Sequence, residues 1–255
     1  MDQEIYNTKE NTLCRSYGVR SYELDAGGRL SVPSIFNFLQ DAASNHALKL
    51  GVAVSQLQAN NYTWVLSRII LKMVAYPQWG DTIQIHTWPS GIEGAFALRD
   101  FDIRCNDQTM GACISAWIII DTNKRRPVRP KAFVQQLKPV DKGHVLNQPL
   151  TKLPALTEFQ FEKRFQVRYH DLDINQHVNN VNYIEWLLEC CDDDHLNNTV
   201  LSNLSVNFLG EALQHDLVKA RSQPLDGDGL RFGHDILRET DGREMIRART
   251  TWRSS

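Results

Sequence analysis

Residues 64–83 read WVLSRIILKMVAYPQWGDTI, and residues 199–218 read TVLSNLSVNFLGEALQHDLV. At a constant offset of 135, Val65-Leu66-Ser67 lies over Val200-Leu201-Ser202 and Asp81 over Asp216. The same offset sets Met110 over Met245 and Trp117 over Trp252. Upstream, an offset of 148 lays ELDAGGRLSVPSIFNFL over YHDLDINQHVNNVNYIEWL in rough register. Identities are few, but the elements recur in the same order, the mark of one fold used twice.

Each half carries one helical pattern. In the first, Ile35, Phe38, Leu39 and Ala42 recur at helical spacing, Gly51 ends the run, and Ser31 or Ser34 is the candidate cap. In the second, Val181, Ile184, Leu187, Leu188 and Cys191 form the stripe, with Asn179 or Asn180 as cap. The acidic run Asp192–Asp194 is unfavourable at a helix C-terminus, which predicts a stop near Cys191.

Strand patterns fill the rest: 69–74, 82–88, 95–104 and 111–120, then 204–208, 217–220, 230–237 and 245–252. Asn106-Asp107, Asp226-Gly227 and Asp241-Gly242 punctuate them. The order predicts an α+β fold in which each half is an antiparallel sheet wrapped around one helix. Five of nine prolines fall between Pro127 and Pro154, so that stretch reads as a surface linker. The expected division is a first domain over 1–135, a linker over 136–158 and a second domain over 159–255.

The 255 residues, 42% apolar and 23% charged, describe an ordinary globular chain. A net charge of −2 argues against a nucleic-acid partner. The longest apolar runs, such as Trp117–Ile120, fall far short of the ~18 residues of a membrane span. The opening MDQEIYNTKENTLCR lacks the apolar core of a signal peptide. Five cysteines without CxxC spacing predict neither a zinc site nor a disulfide framework, and fit a reducing cytoplasm.

Chemistry concentrates in HDLDINQHVNNVNYIEW, residues 170–186. Asp173, Asn175 and His177 alternate with apolar or amide residues, so in an extended chain they share a face just before a helix begins. Helix N–H groups near Val178, Asn179 and Asn180 would there polarise a carbonyl oxygen. The first half has Asp25, Gly27 and Arg29 at these places. On the residues alone, Asp173 and Asn175 also read as turn or cap residues, and His177 as a satisfied histidine.

DxNxHVNNxxYxxW, carried by Asp173, Asn175, His177-Val178-Asn179-Asn180, Tyr183 and Trp186, closely resembles the motif of acyl-acyl carrier protein thioesterases, plant and bacterial members of the hotdog superfamily. WVLSR at Trp64–Arg68 resembles their first-half signature. The resemblance implies tandem hotdog folds, with catalysis in the second and acyl-chain binding in the first, where Phe38, Leu39, Trp64, Ile69 and Leu71 read either as pocket lining or as plain core. It implies hydrolysis of a fatty acyl thioester on acyl carrier protein, with no metal or organic cofactor.

The family's acidic residue falls here on Glu211, which by itself also reads as a solvated strand-end carboxylate. Many plant members follow it with cysteine; this chain has Ala212, so a thiol at that position is excluded. Water activated by Glu211 and His177 is the mechanism that remains, with Asn175 on the carbonyl or the water and Asp173 fixing its neighbours. Lys124, Arg125, Arg126, Arg129 and Lys131 form a cationic loop, read either as a docking site for acidic carrier protein or as a solvated loop. An acyl-CoA thioesterase and a non-catalytic acyl-thioester sensor are the alternatives, and both monomer and homodimer remain open.

Overall fold

Ser31 starts the first helix, α1 (Val32–Lys49): its hydroxyl accepts the Ser34 N–H at 3.3 Å. Pro33 sits in the first turn, where a missing N–H costs nothing. The buried side of α1 is Ile35, Phe36, Phe38, Leu39, Ala42, Ala43 and His46. Gly51 closes it at φ +74°, a left-handed backbone that a Cβ would strain. The computed structural model describes residues 3–129 and 133–255.

Two compact units divide the chain, Met1–Leu150 and Thr151–Ser255. In the first, β1 (Gln3–Asn7), β2 (Thr12–Gly18), β3 (Tyr62–Met73), β4 (Thr82–Glu93), β5 (Phe96–Cys105) and β6 (Gln108–Asp121) pair antiparallel in the order β1-β2-β4-β5-β6-β3. β7 (Arg126–Val128) adds to β6, and α1 packs on β2 and β4. Two short helices, α2 (Val54–Gln58) and α3 (Val134–Leu137), flank them.

Several strands outrun their sequence pattern because bulges reset the alternation. β3 begins seven residues before Ile69, and its register shifts between Leu66 and Arg68. β4 runs on through Pro89, which is tolerated because the ladder is broken by an irregularity between Pro89 and Gly91.

In the second unit, β8 (Phe161–Gln166), β9 (Thr199–Phe208), β10 (Leu217–Pro224), β11 (Arg231–Arg238) and β12 (Glu244–Ser254) run antiparallel in the order β9-β12-β11-β10-β8. α4 (Asn180–Leu188) packs on β10 and β11, and Asn179 caps it by accepting the Val181 N–H at 3.1 Å. Ile184, Leu187, Val218, Ala220 and Ile236 are fully buried there. Each branched aliphatic stabilises by ~1.5–3 kcal/mol relative to exposure. The acidic run does not merely follow this helix. α4 ends at Leu188, and Asp192 caps a new helix, α5 (Asp193–Asn198), accepting the His195 N–H at 2.8 Å. Negative charge that is unfavourable at one helix end is favourable at the start of the next. Cys190 and Cys191 lie between the two helices, buried.

The proline-rich segment is stitched down on both sides of residue 150. On the first unit, Val140 N–H donates to Pro89 O at 2.8 Å, and the fully buried Asp100 carboxylate accepts Val145 N–H at 2.7 Å and faces His144 Nδ1 at 3.1 Å. On the second, Asn207 Oδ1 accepts Leu153 N–H at 2.7 Å. No helix among the described residues is long and apolar enough to cross a membrane.

Candidate active site

A tight turn, rather than an extended strand, gathers Asp173, Asn175 and His177. After a 3₁₀ turn at Tyr169–Asp171, Leu172 and Val178 face each other as an antiparallel bridge. Asp173 N–H donates to His177 O at 2.8 Å, and Gln176 N–H to Asp173 O at 3.0 Å. Gln176 closes the turn at φ +63°, a left-handed conformation unusual outside glycine. Asp173 lies at its centre: Oδ1 accepts the N–H groups of Asn175 (2.8 Å) and His177 (3.3 Å), while Oδ2 accepts Asn175 Nδ2 at 3.3 Å. The expectation of a shared strand face is thus replaced by convergence around one carboxylate.

The loop after β9 brings the acid. Leu209 and Gly210 N–H groups both donate to Met245 O, at 2.8 and 3.2 Å. A Cβ on Gly210 would sit 2.8 Å from Met245 Cε and 3.3 Å from Glu244 O, so a larger residue here would have to displace the end of the Met245 side chain. Ala212 O then accepts Val178 N–H at 3.2 Å, and Ala212 N–H donates to the Tyr183 hydroxyl at 2.8 Å. Glu211 Oε2 ends 3.3 Å from His177 Nε2. Side-chain exposures of 51% for Glu211 and 38% for His177 leave both open to water, which a hydrolytic pair needs. Tyr183 is buried, and that burial pushes its pKa well above the ordinary tyrosine value, so the phenol stays protonated.

The expected oxyanion donors need correction. Val178 N–H is committed to Ala212 O and Asn179 N–H to Asp171 O (2.9 Å), because both residues belong to the loop's own bonding. Asn180, first residue of α4, retains a first-turn N–H that no acceptor in the chain takes among the described residues. No group of three or more His, Cys, Asp or Glu is placed to hold a metal among the described residues.

The first unit repeats this framework and its central carboxylate, Asp25, whose Oδ1 accepts the Arg29 N–H at 3.0 Å, but lacks the asparagine, histidine and glutamate. Asp25 N–H donates to Arg29 O, Gly28 N–H to Asp25 O, Leu30 N–H to Pro77 O and Ser31 N–H to Glu23 O, at 2.7 to 3.0 Å. Each matches a bond of the second unit at offsets 148 and 135: Gly28 (φ +75°) under Gln176, Pro77 under Ala212. Where His177 stands, Arg29 pairs with Asp25 at 3.1 Å.

Lys124, Arg125, Arg126 and Arg129 are exposed, Lys124 Nζ lying 3.7 Å from Asp121; Lys131 lies outside the described residues. Phe38, Leu39, Ile69 and Leu71 are buried core of the first unit, and Trp64 packs edge-on against Trp117. Sequence reading assigned no task to Tyr183 beyond its place in the motif, and gave none to Asp100.

Solved structures place the architecture among tandem hotdog proteins. The fold matches a structure described as the 12:0-ACP thioesterase of Umbellularia californica (TM-score 0.87, 24% identity, 96% of this chain and 98% of that one). It also matches an acyl-ACP thioesterase of Bacteroides thetaiotaomicron (TM-score 0.85, 22% identity, 96% and 99%). The profile of the acyl-ACP thioesterase N-terminal domain matches residues 10–135, and that of the C-terminal domain residues 155–254, so the chain belongs to the acyl-ACP thioesterase family. It is 31% identical to a chloroplastic palmitoyl-acyl carrier protein thioesterase of Cuphea hookeriana over 94% of this chain. A chloroplastic acyl-acyl-carrier-protein hydrolase of Cuphea viscosissima is also 31% identical, over 93% of this chain. The chain spans about three fifths (61%) of the length of each of these plant relatives.

Proposed function

We propose that this chain hydrolyses fatty acyl thioesters carried on acyl carrier protein, releasing free fatty acid and the carrier thiol. The observation that carries the reading is the Glu211–His177 pair, 3.3 Å apart and open to water beside the Asp173-centred turn. Glu211 with His177 takes a proton from water as its oxygen attacks the thioester carbonyl carbon. The carbonyl electrons move onto oxygen, where the Asn175 amide and the Asn180 N–H are the candidate donors. Collapse breaks the carbon–sulfur bond, and the proton held by the pair passes to the departing thiolate. A thiol nucleophile has no support: Ala212 follows Glu211, and Cys190 and Cys191 are buried, with pKa values pushed up chiefly by that burial.

Glu211→Gln and His177→Ala are each expected to lower kcat on acyl carrier protein substrates by roughly 10²–10⁴-fold. Near-normal turnover in both overturns the mechanism. Matched acyl-CoA substrates separate the carrier-protein reading from a CoA thioesterase.

The exposed cations Lys124, Arg125, Arg126 and Arg129 support a docking role toward an acidic carrier protein, and Lys131 extends the set in sequence. Charge reversal at Lys124, Arg125 and Arg126 is expected to weaken carrier-protein binding at low salt; unchanged affinity removes that role. The five unpaired cysteines support a reducing compartment, with the cytoplasm as our reading.

A further inference from the structure

Among the described residues, no side chain besides His177 aims the carboxylate of Glu211, and half the glutamate side chain lies in solvent. Its direction is therefore inherited from the backbone of the next residue. Ala212 is fully buried and held on both sides of its backbone: the carbonyl by Val178 N–H from the histidine loop, the N–H by the Tyr183 hydroxyl from α4.

The first unit supplies the comparison. Its carbonyl tie is present, from Leu30 N–H to Pro77 O at 2.8 Å. The other tie cannot form, since Pro77 has no N–H and Ile35 occupies the place of Tyr183 at offset 148. Tyr76, not a carboxylate, precedes Pro77. The second tie thus occurs in the unit that has a carboxylate to aim.

We propose that Tyr183 is a positioning residue whose hydroxyl, through the Ala212 N–H, holds the Glu211 carboxylate at working distance from His177. The proposal rests on the hydrolytic reading given above. Tyr183 does not touch substrate. It works by keeping the peptide after Glu211 from rotating, so that the acid meets the imidazole rather than sampling solvent. Its ring is fixed independently by an edge contact with Trp186, centroids 5.5 Å apart.

Tyr183→Phe keeps that ring contact and removes only the hydroxyl. Single-turnover and steady-state rates are measured on an acyl carrier protein substrate for the whole chain carrying Tyr183→Phe, Glu211→Gln, or both, well below each variant's melting temperature. The expected result is a roughly 10–100-fold fall in kcat for Tyr183→Phe, KM within about twofold, and no further loss when Tyr183→Phe is added to Glu211→Gln. Unchanged kcat in Tyr183→Phe, or full multiplication of the two losses in the double variant, overturns the positioning role. If Glu211→Gln alone turns over normally, there is no working carboxylate to aim and the positioning role is overturned; if His177→Ala does so as well, the hydrolytic reading falls with it. The pH–rate profile gives a second readout: a loosened pair shifts its limbs, whereas a merely less stable protein keeps them in place.

Discussion

Asp173 Oδ1 lies 2.8 Å from the backbone nitrogen of Asn175, and the same oxygen reaches the His177 nitrogen at 3.3 Å. One carboxylate thereby shapes the turn that presents both side chains. Asp173→Ala leaves these N–H groups without their charged acceptor, at about 1–3 kcal/mol. Urea unfolding is expected to register a loss of that size, and kcat/KM to fall about 100-fold. Asp173→Asn keeps one acceptor oxygen, so its urea midpoint is expected between Ala and wild type. An Asn variant no better than Ala would deny the carboxylate this scaffolding role.

The folded protein is expected to lose stability in mild acid through two histidines. Burial pushes the pKa of His46 and of His234 down to about 3, with Arg99 and Lys49 adding to the effect at His46 and His195 at His234. Unfolded, each titrates near 6.5. Below that pH the unfolded chain takes up protons the folded chain refuses, so stability falls from about pH 6.5 toward pH 3. Between pH 7 and 4.5 each imidazole accounts for ~2–3 kcal/mol of that fall. His46→Gln and His234→Gln should each narrow the gap between urea midpoints at these two pH values. Parallel pH dependences in variant and wild type would contradict the assignment.

Asp100 is buried beneath the segment it holds, accepting Val145 N–H at 2.7 Å. Asp100→Ala is expected to cost about 2–3 kcal/mol and to release residues 138–150 for proteolysis before the first unit unfolds. Limited proteolysis followed by mass spectrometry locates the cut. Cleavage that appears only with global unfolding would mean the segment is held by other contacts.

The legible parts of the fold were the local ones. Ser31 and Asn179 cap their helices as their hydroxyl and amide chemistry demands, and the repeat placed both helices. Bulges at Leu66/Arg68 and Pro89/Gly91 were not legible, because register depends on partner strands far away in sequence. β1 was missed as well: four of its five residues are exposed, so it has no buried face to create a pattern. At the site, the residues drawn together were visible, but the reason was misread. A glutamine gives no hint of a left-handed backbone, although the matching place in the first unit holds Gly28 at φ +75°. The spent N–H groups of Val178 and Asn179 and the Tyr183–Ala212 bond depend on tertiary contacts across the loop pair.

The matching loops of the two units carry a lesson for descent. The same backbone turn forms around Asp25 with glycine and arginine where Asp173 has asparagine and histidine. On the proposed mechanism, chemistry here is a small cargo of side chains on a scaffold that stands without it. Such a lineage can shed activity by a handful of substitutions and still inherit the architecture intact. A relative's shape alone therefore says little about whether it hydrolyses anything; on the mechanism proposed here, that question turns on the residues at positions 173, 175, 177, 183 and 211.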